Sequence, residues 1–152
     1  MPKKILIVYY SKTGHTKKMA EAIAKGCRKV ENVEVTLKRV EDTTNRDLLE
    51  ADAIILGSPS YFRLPAWPIK KFIDESIEIY DKLKGKVGGM FSSAGEEKGA
   101  KKCIQGLREM LEEHGMKIIG EGVYAVESPD EKETEACEKF GEMIARTLAE
   151  GS

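Results

Sequence analysis

The sequence predicts an α/β fold, an open doubly wound sheet of five parallel strands in the order 2-1-3-4-5 with helices on both faces. Three observations carry that prediction. Short apolar, β-favouring runs alternate with longer stretches of helical periodicity along all 152 residues. The connections are short, and with right-handed crossovers such β-α units build a parallel sheet covered on both sides. The first apolar run is continuous rather than alternating, as in a strand buried on both faces. A chain of this length buries roughly 70% of its extended surface, so residues 1–152 are expected to form a single domain, with no linker, repeat or low-complexity tract.

The first strand is Ile5-Leu6-Ile7-Val8-Tyr9-Tyr10, and it breaks into a polar turn, Ser11-Lys12-Thr13-Gly14-His15-Thr16. After Gly14, the residues Met19, Ala22, Ile23, Gly26, Cys27 and Val30 recur every three or four positions, the period of an amphipathic helix. Val33 to Val40 is the second strand and Ala53 to Ser58 the third, followed by a loop through Leu64. Pro65 to Ile79 is expected to be helical, with Ile69, Phe72, Ile73 and Ile77 on one face. Lys86 to Ser92 is the fourth strand. The next helix, Glu97 to His114, turns Cys103, Ile104, Leu107, Met110 and Leu111 inward and ends at Gly115. Lys117 to Val126 is the fifth strand, and Asp130 to Glu150 closes the chain as a helix burying Phe140, Met143, Ile144 and Leu148.

Composition removes several functional classes. Net charge is −1, with 41% hydrophobic and 34% charged residues, a balance with no footprint for nucleic acid or a membrane surface. The halves differ: residues 1–76 hold 14 Lys/Arg against 10 Asp/Glu, and residues 77–152 hold 11 against 16. The acidic excess falls on the last helix, where Glu131, Glu133, Glu135, Glu138 and Glu142 read as a solvated face. Cys27, Cys103 and Cys137 are widely spaced, odd in number and placed on helices, which suits neither a disulfide framework nor a zinc site. They read as small core residues in a reducing cytoplasm. No apolar segment approaches 18 residues, and Met-Pro-Lys-Lys runs straight into the first strand, so neither a membrane span nor a signal peptide is expected.

The turn from Ser11 to Thr16 is the first candidate site. A helix opening there presents backbone N–H groups without intrahelical acceptors and the positive end of the helix dipole, which together favour an anion. Ser11, Thr13 and Thr16 each add a hydroxyl donor, and Gly14 permits close approach or positive φ. A phosphate monoester fits this set, and a simple helix cap fits it equally well. The pattern lacks the glycine and lysine spacing of an ATP-binding P-loop and the three glycines of a dinucleotide fingerprint. In an open parallel sheet, ligands bind at the carboxyl ends of the strands where strand order reverses. The loops after strands one, three and four are therefore the relevant ones. The latter two are Gly57-Ser58-Pro59-Ser60-Tyr61-Phe62-Arg63-Leu64-Pro65 and Ser92-Ser93-Ala94-Gly95-Glu96.

With these loops in place, the chain resembles the flavodoxin family over its whole length. Ile7, Val8, Tyr9, Ser11, Gly14, Thr16, Ala20 and Ile23 match the family's N-terminal signature. A fifth strand without the roughly twenty-residue insertion makes it similar to the short-chain group. The resemblance implies FMN, its phosphate on Ser11, Lys12, Thr13, Gly14, His15 and Thr16 and its isoalloxazine between Pro59, Ser60, Tyr61 and Phe62 on one side and Ser92, Ser93, Ala94 and Gly95 on the other. It also implies a monomeric electron carrier that meets redox partner proteins transiently and cycles between semiquinone and hydroquinone, with no catalytic acid or base. The Ser58 to Ser60 turn is the candidate for a hydrogen bond at flavin N5.

Tyr61 and Phe62 are the candidate stacking residues, since an aromatic on the ring face adds about 0.5–1.5 kcal/mol beyond burial. Trp67, between Ala66 and Pro68, is expected to pack against the scaffold. Three features depart from the family pattern: no aromatic between Ser92 and Gly99, where many members stack a Tyr on the outer ring face; near-neutral charge; and Lys12 and His15 within the phosphate loop, which read as solvent-facing. An open ring face leaves a second function in view, a flavin-dependent NAD(P)H:quinone oxidoreductase. A phosphoacceptor domain and a low-molecular-weight phosphatase are excluded, because the strand ends lack the acidic residues of the one and the first loop lacks the cysteine nucleophile of the other.

Overall fold

The computed structural model describes residues 1–151. The chain runs β1 (Lys3–Tyr9), α1 (His15–Cys27), β2 (Val33–Arg39), α2 (Asn45–Glu50), β3 (Ala53–Tyr61), β4 (Leu64–Pro65), α3 (Trp67–Glu75), β5 (Val87–Ala94), α4 (Glu97–Glu113), β6 (Lys117–Ile118), β7 (Val123–Val126) and α5 (Glu131–Glu150), with single 3-10 turns at Val40–Asp42 and Ser76–Ile79. The parallel sheet has the order β2-β1-β3-β5-β6, β7 also pairs with β5, and β4 forms a hairpin with β3. This is the expected 2-1-3-4-5 order with its fifth strand in two pieces. Gly120 (φ 74) and Gly122 (φ 87) take left-handed conformations between the pieces, and such residues interrupt an extended ladder.

Alternation along each strand divides the core into two layers. Ile5, Ile7, Ile55 and Phe91 face α1 and α5, packing with Met19, Ile23, Phe140 and Ile144. Leu6, Val8, Ile54, Leu56 and Met90 face the other side, with Ile69, Phe72, Leu107 and Leu111 from α3 and α4. The first layer is the tighter one. A Cβ on Gly26 would lie 1.9 Å from the Glu138 carbonyl oxygen, and one on Gly141 would lie 2.1 Å from that of Ile23. Only glycine allows α1 and α5 this approach.

Several boundaries and faces differ from the sequence reading. Asn45–Glu50 is a helix where none was expected; it is closed by a reciprocal capping box between Thr44 and Asp47. The helix expected over Pro65 to Ile79 begins at Trp67 and tightens into the 3-10 turn at Ser76. That tightening rotates Ile77 out, leaving it 66% exposed. Met143 is exposed as well, and Trp67, expected against the scaffold, is 69% exposed at the first helical position of α3. β3 continues through Pro59 to Tyr61 because the following residues fold back to pair with it, Tyr61 opposite Leu64 and Ser60 opposite Pro65. The expected turn at Ser58 to Ser60 is therefore strand, and the turn lies at Phe62 and Arg63.

Candidate functional site

Register sets the carboxyl ends of three strands side by side. Tyr9 pairs with Gly57, and Ser58 and Pro59 pair with Ser92 and Ser93. The three expected loops leave the sheet at this edge.

The first loop is shaped by its own serine. Ser11 Oγ accepts the backbone N–H of Gly14 at 3.1 Å and of Lys17 at 3.2 Å, which curls the segment over the start of α1. Gly14 is the N-cap at φ 99 with no side-chain cap bond, and a Cβ there would meet nothing within 4 Å. The space above the helix end is open, as an approaching anion requires. Thr16 is buried, and its Oγ1 lies 2.8 Å from Ser93 Oγ, so one hydroxyl pair ties the first loop to the end of β5. Lys12 and Thr13 are exposed, and His15 is half-buried. Arg39, at the end of β2, donates from Nη2 to the Ser11 carbonyl at 3.0 Å and to Glu41 at 3.3 Å. Sequence reasoning missed this arginine; the one pointer to it was the adjacency of strand two to strand one.

The second loop is a hairpin clamped to α4 and α3. Ser60 Oγ donates to the Gly99 carbonyl at 2.9 Å, and Ser58 Oγ accepts the Ala66 N–H at 2.8 Å. Phe62 (φ 53) and Arg63 (φ 67) make the turn, both left-handed and neither of them glycine, an arrangement that suits the twist of a two-residue hairpin. Tyr61 lies on the side of Tyr10; burial, then the neighbouring Tyr10 hydroxyl, raises its pKa above the ordinary tyrosine value. Phe62 is 99% exposed, so it presents its whole ring at the hairpin tip.

The third loop is shorter than expected. Ser92 and Ser93 are buried in β5, which ends at Ala94, and only Gly95 and Glu96 remain as a connection to α4. Ser93 turns to Thr16, while Ser92 lies on the opposite face, where it meets Cys103. Glu97 accepts from Tyr124 Oη at 2.6 Å and pairs with Lys101 at 3.0 Å; these bonds hold its carboxyl below the usual glutamate pKa and fix the start of α4 against β7.

The residues present therefore fit a flat ring carrying a phosphate ester. A helix end that Ser11 caps at Lys17, with open space above Gly14, stands beside two backbone edges on which an apolar plane can rest. A family model described as Flavodoxin matches residues 7–141. The chain belongs to the flavodoxin family. A flavodoxin of Aquifex aeolicus (strain VF5) is 34% identical over 161 aligned residues, spanning 96% of this chain and 87% of that protein. Among solved structures, a flavodoxin from the domain Archaea superposes with a TM-score of 0.86 at 31% identity, covering 96% of this chain and 99% of its own. A WrbA-like flavodoxin from Agrobacterium tumefaciens gives 0.87 at 28% identity, with 99% of each chain covered. Membership in the flavodoxin family carries the functional class, a flavin-binding electron-transfer protein. Among the described residues no helix is long and apolar enough to cross a membrane, and no cluster of His, Cys, Asp or Glu could hold a metal ion.

Proposed function

We propose that residues 1–152 act as a single FMN-binding domain, a monomeric electron carrier that meets its redox partner proteins transiently. The observation that carries this reading is the first loop: an α1 N-terminus open above Gly14 and tied through Thr16 and Ser93 to the strand end where a ring would lie. The N–H groups of His15 and Thr16, with the hydroxyls of Ser11 and Thr13, would hold the phosphate. Pro59 to Phe62 and Ala94 to Gly95 would flank the isoalloxazine. Bound FMN supplies the one-electron chemistry, and the protein supplies binding, orientation and electrostatics. Ser60, Ser58 and the hairpin keep the ring edge rigid, and the hairpin tip at Phe62 and Arg63 offers backbone groups outside the paired ladder. Three free, buried thiols suit a reducing cytoplasm.

The test compares FMN with riboflavin. Thr13→Ala is expected to weaken FMN about tenfold or more and riboflavin far less, because a hydrogen bond to a charged group contributes about 1.5–3 kcal/mol. Equal losses for both flavins would remove the phosphate from this loop.

A second reading, a flavin-dependent NAD(P)H:quinone oxidoreductase, is favoured by one observation. No aromatic side chain stands on the third loop between Ser92 and Gly99, which leaves room for a nicotinamide. Mixing the FMN-loaded protein with NADPH separates the two. A carrier stays yellow; bleaching by NADPH and recovery with benzoquinone would establish the reductase.

A further inference from the structure

An ion pair joins the second and third loops across the mouth of the proposed ring site. Arg63 occupies the second position of the hairpin turn, and its Nη2 lies 3.6 Å from Glu96 Oε1. Glu96 is the N-cap of α4, yet its side chain makes no cap bond; its carboxylate meets Arg63 of the hairpin instead. Both side chains are half or more exposed, at 50% and 63%. A pair this exposed is weak by itself and opens readily.

The geometry points to Arg63, held by Glu96, as the cover of the outer ring face. This rests on the FMN reading. The third loop has no aromatic to stack there, and Phe62, at the tip, is 99% exposed with no bond directing it toward that loop. Lys101 is occupied by Glu97. Ser60 of the hairpin is spent on the Gly99 carbonyl, and Arg63 is the charged side chain that the hairpin sends toward the third loop. Its guanidinium is planar and permanently charged, so it stacks on an aromatic face as another ring would and adds a cation–π attraction. Glu96 is a positioning residue: its charge draws the guanidinium toward the third loop and offsets part of the positive charge. The same positive charge favours the electron-rich, reduced form of the ring.

Fluorescence titration with FMN and with riboflavin tests the inference on wild type, Arg63→Asn, Arg63→Lys and Glu96→Gln. Arg63→Asn is expected to weaken both flavins by the same factor, about two- to fivefold for an exposed cation–π contact, and to move the midpoint potential of bound FMN negative. Its melting temperature holds or rises, because Asn tolerates positive φ better than Arg; this separates ring contact from turn stability. Arg63→Lys keeps the charge without the plane and is expected to lose most of the same factor. Glu96→Gln loses part, and its gap from wild type closes at high salt as the pair is screened. Unchanged affinity for both flavins in Arg63→Asn and Glu96→Gln, with wild type binding FMN, would overturn the cover and leave the FMN reading standing. A loss confined to FMN would also overturn it, placing Arg63 on the phosphate. Wild type without FMN affinity would overturn the reading and the cover together.

Discussion

His114 is the residue whose environment most constrains its own chemistry. It is buried at the C-terminal end of α4, with Nε2 2.8 Å from Ser76 Oγ. That serine spends its single proton on the Ile73 carbonyl at 2.6 Å, so it must accept from His114, which places the imidazole proton on Nε2. Nδ1 is then a bare, buried acceptor without a partner. Protonating it would add a buried N–H with nothing to receive it, and burial, only partly offset by Glu113, holds the pKa below the ordinary 6.5. With the folded pKa below the unfolded one, the unfolded chain binds more protons as pH falls. Stability is thus full above the unfolded value and declines as pH drops from about 6.5 toward the folded pKa. Thermal melts from pH 7.5 to 5 are expected to show this decline, and His114→Gln is expected to flatten it. An equal slope in the variant would assign the acid sensitivity to other groups. Residue by residue, the candidate site was partly legible. Hydroxyl and glycine chemistry exposed the Ser11 to Thr16 loop, whereas the spending of Thr16 on Ser93 and of Arg39 on the Ser11 carbonyl depends on strand register, which no local pattern encodes.

At the scale of elements, periodicity located strands and helices, and backbone specials decided where they stop. The split of strand five at Gly120 and Gly122, the hairpin closed by two non-glycine left-handed residues, and the 3-10 turn that throws Ile77 outward all depend on φ values rather than on hydrophobic period. α2 escaped detection because six residues are too few to display a helical stripe. The glycines of α1 and α5 were legible only as residues, and their meaning is tertiary. Gly141→Ala would gain up to about 1 kcal/mol of helix propensity in isolation. Here the new methyl would meet the Ile23 carbonyl oxygen at 2.1 Å, and forcing two backbones apart in a packed layer costs about 1–3 kcal/mol. Net destabilisation of up to roughly 2 kcal/mol is expected by urea denaturation. Gly99→Ala is the contrast: its Cβ would sit in ordinary contact, 3.4 Å from Ser60 Oγ, so its midpoint should hold or rise. A Gly141→Ala midpoint at or above wild type would mean that α5 can retreat from α1 without loss.

For the whole molecule, the question is whether the two layers separate independently. Both rest on one sheet: Phe91 projects into the α1 and α5 layer and its neighbour Met90 into the α3 and α4 layer. Lifting either layer therefore bares one face of the shared strands. The cysteines report on each side, Cys27 and Cys137 in the first layer and Cys103 in the second. All three are inaccessible, and burial pushes their thiols up to about 12, 12 and 11 respectively. At pH 8 the native thiols are neither ionised nor reachable, so alkylation waits on opening. If the shared sheet makes unfolding cooperative, iodoacetamide will label the three cysteines at one common rate. That rate will be slower than for the denatured chain by a factor on the order of 10³ or more, set by the global stability typical of a domain this size. Faster labelling of Cys103 would show that the α3 and α4 layer opens alone. That layer carries the hairpin and the start of α4 against which a ring would rest, so its opening would couple stability directly to flavin release. Saturating FMN would then slow Cys103 selectively, whereas cooperative unfolding requires FMN to slow all three thiols by the same factor.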